Sequence, residues 1–568
     1  MTATDSTFNF RIRLSFWALG VALGLSQAWT SRFDVEDNTV SYLDMGGYFF
    51  HGHHWSIING FWSPVYALLL SLPVNVLKPS LYWEYPTVHL LVFIVFLFAI
   101  VCFDYFLRQS VRFRSDSDPE KKSSSELDWA WIVIGYTIFL WSSLELIGAY
   151  KITPDMLVAG FFYLSCGLLV TISSGRAKWK AFLGLGVTLG LTYLTNFILL
   201  PICLLILVIA WLVTKQKARY VVISVIAFVA IAAPFIVALS AQKGRFACGE
   251  AVTWAYAVSV NKIPPYHWQG DSKMPLAHPT REIFPAPATF EFKEPFKGTY
   301  PLEYDLSYWY EGTKPQVHLF QQIKVLASNL FLEFETLFFS LNGILLTTLF
   351  LVLYETGRGR LILKDVLRYW FLIVPCVAVA VLYALVFYLP QYLAASFVVL
   401  LLCLFLSAAS PFPKSRLLSG VAVLQLAMFF ALVGFPLLLH IFNIHPLHSS
   451  VAERASYPEV AEKALEMGLK PGDQIASLNY SNEKMAMWAH LARLQIIAEV
   501  YYRSDLPEGS ANNFWKADPL TQERVLQKLS QTGARAVLSQ DAPSGAGAGR
   551  WLQIGTTGYY LCWLKPAD

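Results

Sequence analysis

The sequence predicts a mostly α-helical, polytopic membrane protein of about eleven transmembrane helices, followed by a small α/β domain. Three observations predict it. Hydrophobic residues make up 55% of the 568 residues and aromatic residues 15%, while charged residues are held to 14%, far from a soluble globular average. Apolar segments, each near the ~20 residues that cross a bilayer, alternate with short polar loops. Lys and Arg gather in every second loop, as cytoplasmic loops require. The net charge of +4 therefore matters through its placement, and it gives no ground for a nucleic-acid partner.

The first apolar stretch, Leu14 to Trp29, follows Arg11 and Arg13 and lacks a small-x-small cleavage site, so it reads as a retained first helix. With Arg11 and Arg13 inside, the loop from Thr30 to about Pro86 lies outside, and the basic run from Arg108 to Lys122 lies inside. Two apolar stretches separate these loops, so one of them must not cross. Pro64 to Leu77 is too short to span, is bounded by Pro64 and Pro79 and is broken by Pro73; it reads as an interfacial or re-entrant helix. Thr87 to Leu107 is then the second span.

The remaining spans fall near 129–147, 156–173, 181–195, 197–213, 220–240, 334–354, 369–388, 393–410 and 417–440. This parity places Arg176, Lys178 and Lys180, then Lys215, Lys217 and Arg219, then Arg358 to Arg368, then Lys414 and Arg416 on the cytoplasmic side. Four regions result: a membrane module over 1–240, a long outward loop over 241–333, C-terminal transmembrane helices over 334–440 and an outward domain over 441–568. The long loop is dense in proline and aromatics, which predicts fixed bends without secondary structure.

In the tail, Ser456, Pro458 and Gly468 bracket one helix, and Asp518, Pro519 and Gly533 bracket another. The β-rich runs QIASL, LQIIAEVYY, RAVLS and YYLCWL lie between and after them, which predicts an α/β layer domain. Five of the seven cysteines lie in apolar segments as small hydrophobes. Cys248 and Cys562 lie outside them, where an oxidising compartment would allow a bridge, but no disulfide framework is implied.

Chemistry is expected on the outward side. Asp34, Glu36 and Asp37 cluster just past the first span and open into SYLDMGGYFFHGHHW, an amphipathic stretch with Tyr42, Met45 and Phe49 on one face. Such a cluster is either a solvated rim or a catalytic base. Asp155, in GAYKITPDMLVAG beside Lys151, brings a second acid to the next outward loop, as general-base or metal chemistry requires. His51, His53 and His54 lack the i, i+4 spacing of helical zinc ligands; the plainer reading is a helix ended by Gly52 with Trp55 at the interface, and His54 remains able to bond a sugar or phosphate. In the long loop, Trp268, Trp309 and Tyr310 are placed to stack on sugar rings, against the competing view of a lid packed on the tail.

The segments DVEDNTVSYLDMGGYFFHGHHW, WSPVYALLL and TPDMLVA, in that order, resemble the GT-C class of membrane glycosyltransferases, which includes protein O-mannosyltransferases, aminoarabinose lipid A transferases and oligosaccharyltransferases. The resemblance covers roughly residues 10–240 and is nearest to the bacterial branch. It implies a multi-pass enzyme of the inner membrane, with its N-terminus cytoplasmic and its C-terminal domain periplasmic. Its implied activity is transfer of a hexosyl or pentosyl group from a polyprenyl-phosphate sugar lipid to a glycan, lipid or protein acceptor of the cell envelope. Carried over by position, Asp37 matches the first-loop acid, with Glu36 and Asp34 as rivals, and Asp155 matches the second-loop aspartate. Lys151 is the first candidate for the donor phosphate, and Arg245 and Arg281 are the alternatives. No cofactor is required for certain, and a divalent cation is left open.

Two departures stand out: Thr195-Asn196 occupies a position where aminoarabinose transferases carry a lysine, and Gln391-Tyr392 stands where related enzymes carry Arg-Tyr. A transporter or flippase of lipid-linked precursors is the non-enzymatic rival, and an outer-face ligase or polymerase the other. Apolar spans with acids at the mouth favour the enzyme over a transporter, whose charged or broken segments sit near the midplane.

Overall fold

Long runs of Leu, Ile, Val and Phe free of charge fold as helices, because a helix alone satisfies its own backbone groups where water is absent. In chain order the helices are α1 (Ala3–Thr30), α2 (Asp37–Phe50), α3 (Pro64–Leu77), α4 (Leu81–Asp116), α5 (Asp128–Trp141), α6 (Asp155–Ser173), α7 (Trp179–Thr195), α8 (Leu200–Val213), α9 (Arg219–Lys243) and α10 (Ala251–Ser259). There follow α11 (Leu319–Phe339), α12 (Trp370–Ala384), α13 (Pro390–Ala408), α14 (Ser415–Phe429), α15 (Phe435–Ile441), α16 (Tyr457–Glu466), α17 (Asn482–Leu491) and α18 (Pro519–Gln531). The strands are β1 (Thr280–Pro285), β2 (Ala288–Phe292), β3 (Gln474–Leu478), β4 (Gln495–Val500), β5 (Ala536–Ser539), β6 (Leu552–Gln553) and β7 (Tyr560–Trp563).

The computed structural model describes residues 3–35, 37–116, 128–216, 219–262, 280–292, 298–300, 315–339, 366–408, 415–441, 456–478, 482–500, 514–540, 543 and 548–564. The chain forms two units, each built from three stretches: Met1–Ser31, His89–Val260 and Val317–Leu447 in the first, and Arg32–Val88, Asn261–Gln316 and His448–Asp568 in the second. The 241–333 region is thus divided between them.

The first unit is all helix. α7 packs on α6 and α9, α12 on α13, and α5 on α1 and α14. Phe103, Phe139 and Tyr163 interlock at its centre, with Phe103 stacked on Phe139 at 4.4 Å between ring centroids. α9 turns Val222, Val225, Ile226, Val229 and Val237 outwards, a continuous apolar surface that suits lipid and not water.

Among the described residues, five helices are long and apolar enough to cross a membrane: α4, α5 with its continuation to Ile147, α6, α9 and α13 up to Ser407. This corrects the expectation of about eleven. Segments 181–195, 197–213 and 369–388 form shorter helices, α7 of 17 residues, α8 of 14 and α12 of 15. Pro201 starts α8 after a 3-10 turn, and a π turn over Phe430–Gly434 interrupts the 417–440 segment. α1 has the length, but Asn9, Arg11, Arg13, Ser26 and Gln27 make it more polar. Most of the 334–354 segment lies outside the described residues; 334–339 ends α11, which begins at Leu319.

The second unit joins a seven-stranded mixed sheet to helices from two other parts of the chain. Its order is β1-β2-β4-β3-β5-β7-β6, with β3 parallel to both β4 and β5 and every other pair antiparallel. The four β-rich runs of the tail become β3, β4, β5 and β7, and the two bracketed helices become α16 and α18. Asp518 caps α18 by accepting from the Leu520 and Thr521 amides, with Pro519 at the first turn. Val525, Leu526 and Leu529 of α18 bury against Leu478, Val500 and Val537 of the sheet. β1 and β2 come from the long loop, as do α10 and the start of α11, so that loop carries the secondary structure it was expected to lack. All seven cysteines are free thiols.

Candidate functional site

Asp155 opens α6, following Pro154, where the unpaired amides and the helix dipole favour a carboxylate. It is 6% exposed, and its Oδ2 accepts from Gln391 Nε2 at 3.0 Å. Gln391, in the first turn of α13, turns its amide oxygen the other way and accepts from Lys151 Nζ at 3.2 Å. One neutral amide thus bridges an acid and a cation from neighbouring positions in the chain. Lys151 has two further N–H groups that make no hydrogen bond among the described residues.

The loop that carries Lys151 is fixed from beneath. Gly148 holds φ at +84°, a left-handed turn that a side chain would strain, and a Cβ there would meet the Tyr150 ring at 2.8 Å. Gln27 of α1 clasps both sides of that turn, donating to the Leu144 carbonyl and accepting from the Ala149 amide, each at 3.0 Å. Beside Gln391, Tyr392 stacks on Tyr383 of α12 at 4.6 Å, and the Tyr383 hydroxyl accepts from Asn196 Nδ2 at 3.3 Å. Both departures noted in the sequence, Asn196 and Gln391-Tyr392, therefore join one cluster with Lys151 and Asp155.

A second polar cluster lies in the other unit, and nothing in the sequence singled it out. Asp44 sits in the buried part of α2, Glu84 in the first turn of α4 and His490 in the last turn of α17, with exposures of 7%, 2% and 5%. His490 Nδ1 lies 2.7 Å from Asp44 Oδ1, and its Nε2 lies 3.2 Å from Glu84 Oε1. Both ring nitrogens thus face a carboxylate, which favours a positive charge on the ring, while Nε2 also lies 3.1 Å from Arg493 Nη1, a donor that opposes it. Burial on its own opposes that charge, but Asp44 by charge and hydrogen bond, and Glu84 by hydrogen bond, outweigh burial and the nearby Arg493, so the His490 pKa is raised. Arg493 completes the cluster through Glu84 Oε2 at 2.7 Å and the His490 carbonyl at 3.1 Å. Asp44 also accepts from the Thr299 amide at 2.6 Å and the Thr299 hydroxyl at 3.1 Å.

The other expected site residues are placed as follows. Asp37 is the first residue of α2, and its side chain, like Glu36, lies outside the described residues. Asp34 is half-buried in the turn before it. Tyr42, expected to meet substrate from one face of an interfacial helix, is 4% exposed and packs edge-on against Trp62 and Tyr66. Met45 is fully buried on the same face, and Ser41, Leu43 and Asp44 are buried as well, so this part of α2 is packed on more than one side. His54 is exposed, against the Phe49 ring. Arg245 is exposed and paired with Glu250, which also binds Lys243 at 3.2 Å. Arg281 is in β1 with its side chain outside the described residues, as are Trp268, Trp309 and Tyr310 altogether. Among the described residues no three His, Cys, Asp or Glu side chains are grouped to hold a metal.

No family model matches the chain, and no curated protein matches it. Among solved structures it is similar to ArnT from Cupriavidus metallidurans in the apo state, at 11% identity and a TM-score of 0.47 over 96% of each chain. It is similar to the same protein bound to undecaprenyl phosphate, at 12% identity and a TM-score of 0.48 over 99% of this chain and 98% of that one. A third is the Archaeoglobus fulgidus oligosaccharyltransferase tethered with an acceptor peptide, at 12% identity and a TM-score of 0.47 over 93% of this chain and 69% of that one.

Proposed function

We propose that this chain is a membrane glycosyltransferase that moves a hexosyl or pentosyl group from a polyprenyl-phosphate carrier to a glycan, lipid or protein acceptor on the outer face of a bacterial inner membrane. The observation that carries the reading is the Lys151–Gln391–Asp155 chain, which sets a cation with spare donors beside a buried carboxylate where two helices begin. Lys151 supplies the counter-charge for the lipid phosphate, as a compact ammonium able to give three hydrogen bonds. Asp155 orients donor or cation, and Asp37, with Asp34 and Glu36 as its rivals, is the base that takes the acceptor proton. Direct displacement by the acceptor oxygen at the anomeric carbon inverts that centre, and the sugar–phosphate bond breaks to release polyprenyl phosphate. The positive-inside pattern sets the N-terminus in the cytoplasm and the C-terminal domain in the periplasm.

Purified protein in detergent, incubated with a panel of radiolabelled polyprenyl-phosphate monosaccharides, tests the reading. Transfer to acceptor, or slow hydrolysis to free sugar, is the expected result. Transbilayer movement of the lipid in vesicles with the sugar–phosphate bond intact for every donor would instead assign the chain to the transporters.

A further inference from the structure

The role of the C-terminal domain is legible in the contacts of α17. This helix packs on α2, the helix that Asp37 opens, and its last turn delivers the charged side chain that α2 buries. The cluster draws on three separate stretches of the sequence: Asp44 and Glu84 from Arg32–Val88, Thr299 from the long loop, and His490 and Arg493 from the tail. Tyr85 adds a further tie by donating to the Met487 carbonyl of α17. The Thr299 carbonyl in turn accepts from the Ile496 amide of β4 at 2.8 Å, so that the Asp44 carboxylate is linked to the sheet through one residue.

Two local features suit α2 for being held. Gly46 lets α2 approach α3, since a Cβ there would fall 2.5 Å from the Ala67 carbonyl and 2.2 Å from Ser71 Oγ. Arg493 adopts φ of 57°, the left-handed position after a helix that glycine ordinarily fills, and there its guanidinium folds back over the His490 carbonyl. A non-glycine residue in that conformation costs roughly 1 kcal/mol, a strain found where the side chain has a task.

We propose that the C-terminal domain acts as a clamp on the acid-bearing first-loop helix, with His490 and Arg493 as positioning residues that fix Asp44, and through α2 the acid at its start. The catalytic part of this inference rests on the function proposed above; the mechanical part does not. Charged and titratable groups around His490 are Asp44 on α2, Glu84 and Tyr85 on α4 and Arg493 after α17. With His490 and Arg493 charged they offset Asp44 and Glu84, two against two, as a buried cluster needs.

The test compares the full-length wild type with His490→Gln, Arg493→Gly and the double variant Asp44→Asn/His490→Gln. Gln keeps hydrogen bonding and removes the charge; Gly relieves the strained backbone and removes the guanidinium. Hydrogen exchange is expected to rise in residues 37–50 of both single variants while β3 and β5 stay protected. Transfer kinetics are expected to show kcat lowered roughly 10²-fold, the cost of an ångström-scale misplacement, with KM for the lipid donor unchanged. The double variant, which leaves no unpaired charge, is expected to regain roughly tenfold over His490→Gln. Unchanged exchange in 37–50, or exchange rising evenly through the whole sheet, overturns the clamp. Faster exchange in 37–50 with wild-type kcat overturns the positioning role. A wild type that transfers sugar from no donor sinks the proposed function, and the exchange arm then still decides the clamp.

Discussion

Asp155 and Asp44 are both buried aspartates on helices, and the two units treat them differently. Asp155 shares one oxygen with a neutral amide, and the cation beyond that amide keeps N–H groups to spare. Asp44 takes the His490 ring, a backbone amide and a hydroxyl, beside the Glu84–Arg493 ion pair. A buried carboxylate matched by charge and hydrogen bonds has little left to offer a ligand, whereas one held by an amide beside an underused lysine does. The first arrangement suits binding and chemistry, and the second suits holding chain segments together.

The largest expected effect tests where the chemistry lies. Asp37→Asn keeps size and hydrogen bonding but removes the proposed base, so turnover should fall about 10²–10⁴-fold with the protein still folded and inserted. Asp34→Asn should cost less. Steady-state transfer rates for the two variants check this, and the reverse order would move the base within the cluster. Next comes the folding contrast. His490→Ala leaves Asp44 buried with the Thr299 amide and hydroxyl but without its charged partner, Glu84 keeping Arg493, and should destabilise the chain by about 3–5 kcal/mol, read by denaturant unfolding of the detergent-solubilised protein. Asp155→Asn should shift the same curve by less than about 1 kcal/mol while impairing transfer, and a loss equal to that of His490→Ala would erase the distinction between the clusters. Smaller still is the donor contact. Lys151→Ala should weaken binding of a polyprenyl-phosphate lipid by roughly 1.5–3 kcal/mol, the range for hydrogen bonds to charged groups. Lys151→Arg should be tolerated poorly but better than Ala, because a planar fork does not fill the space of an ammonium. Unchanged lipid affinity would move the phosphate to Arg245 or Arg281.

The parts of the fold that sequence periodicity reveals are those governed by local rules. Capping residues and glycines bracketed α16 and α18, and β-branched runs marked β3, β4, β5 and β7, because these signals act within a few residues. The number of spanning helices was not legible, since the 3-10 turn before Pro201 and the π turn at Phe430–Gly434 divide apolar sequence without changing its hydropathy. β1 and β2 were hidden in a proline-rich loop because β4, the strand that joins β2 to the sheet, lies some 200 residues away. The site was half legible. Lys151 and Asp155 stood out as charges beside an apolar run, whereas Gln391 read as a lost arginine and proved to be the bridge between them. Asp44 and His490 carried no signal, because an acid and a histidine 446 positions apart become a pair only through the fold.

The last prediction follows from titrating His490 in place of deleting it, and is milder for that reason. In the unfolded chain this histidine should titrate near its ordinary value of about 6.5, and in the folded chain Asp44 and Glu84 raise it. The folded state therefore binds the proton more tightly than the unfolded state. The stabilisation it supplies is fully present below about pH 6.5, declines as pH rises above that value and is lost once pH passes the folded-state value. Unfolding of the full chain, followed from pH 5.5 to pH 9, should accordingly show stability falling with rising pH, with exchange in residues 37–50 rising in step. His490→Gln should flatten that part of the profile, since glutamine carries no titrating proton. A wild-type profile that rises over the same range, or one left unchanged by His490→Gln, would mean that the imidazole is buried neutral and that Asp44 draws its counter-charge from elsewhere in the unit.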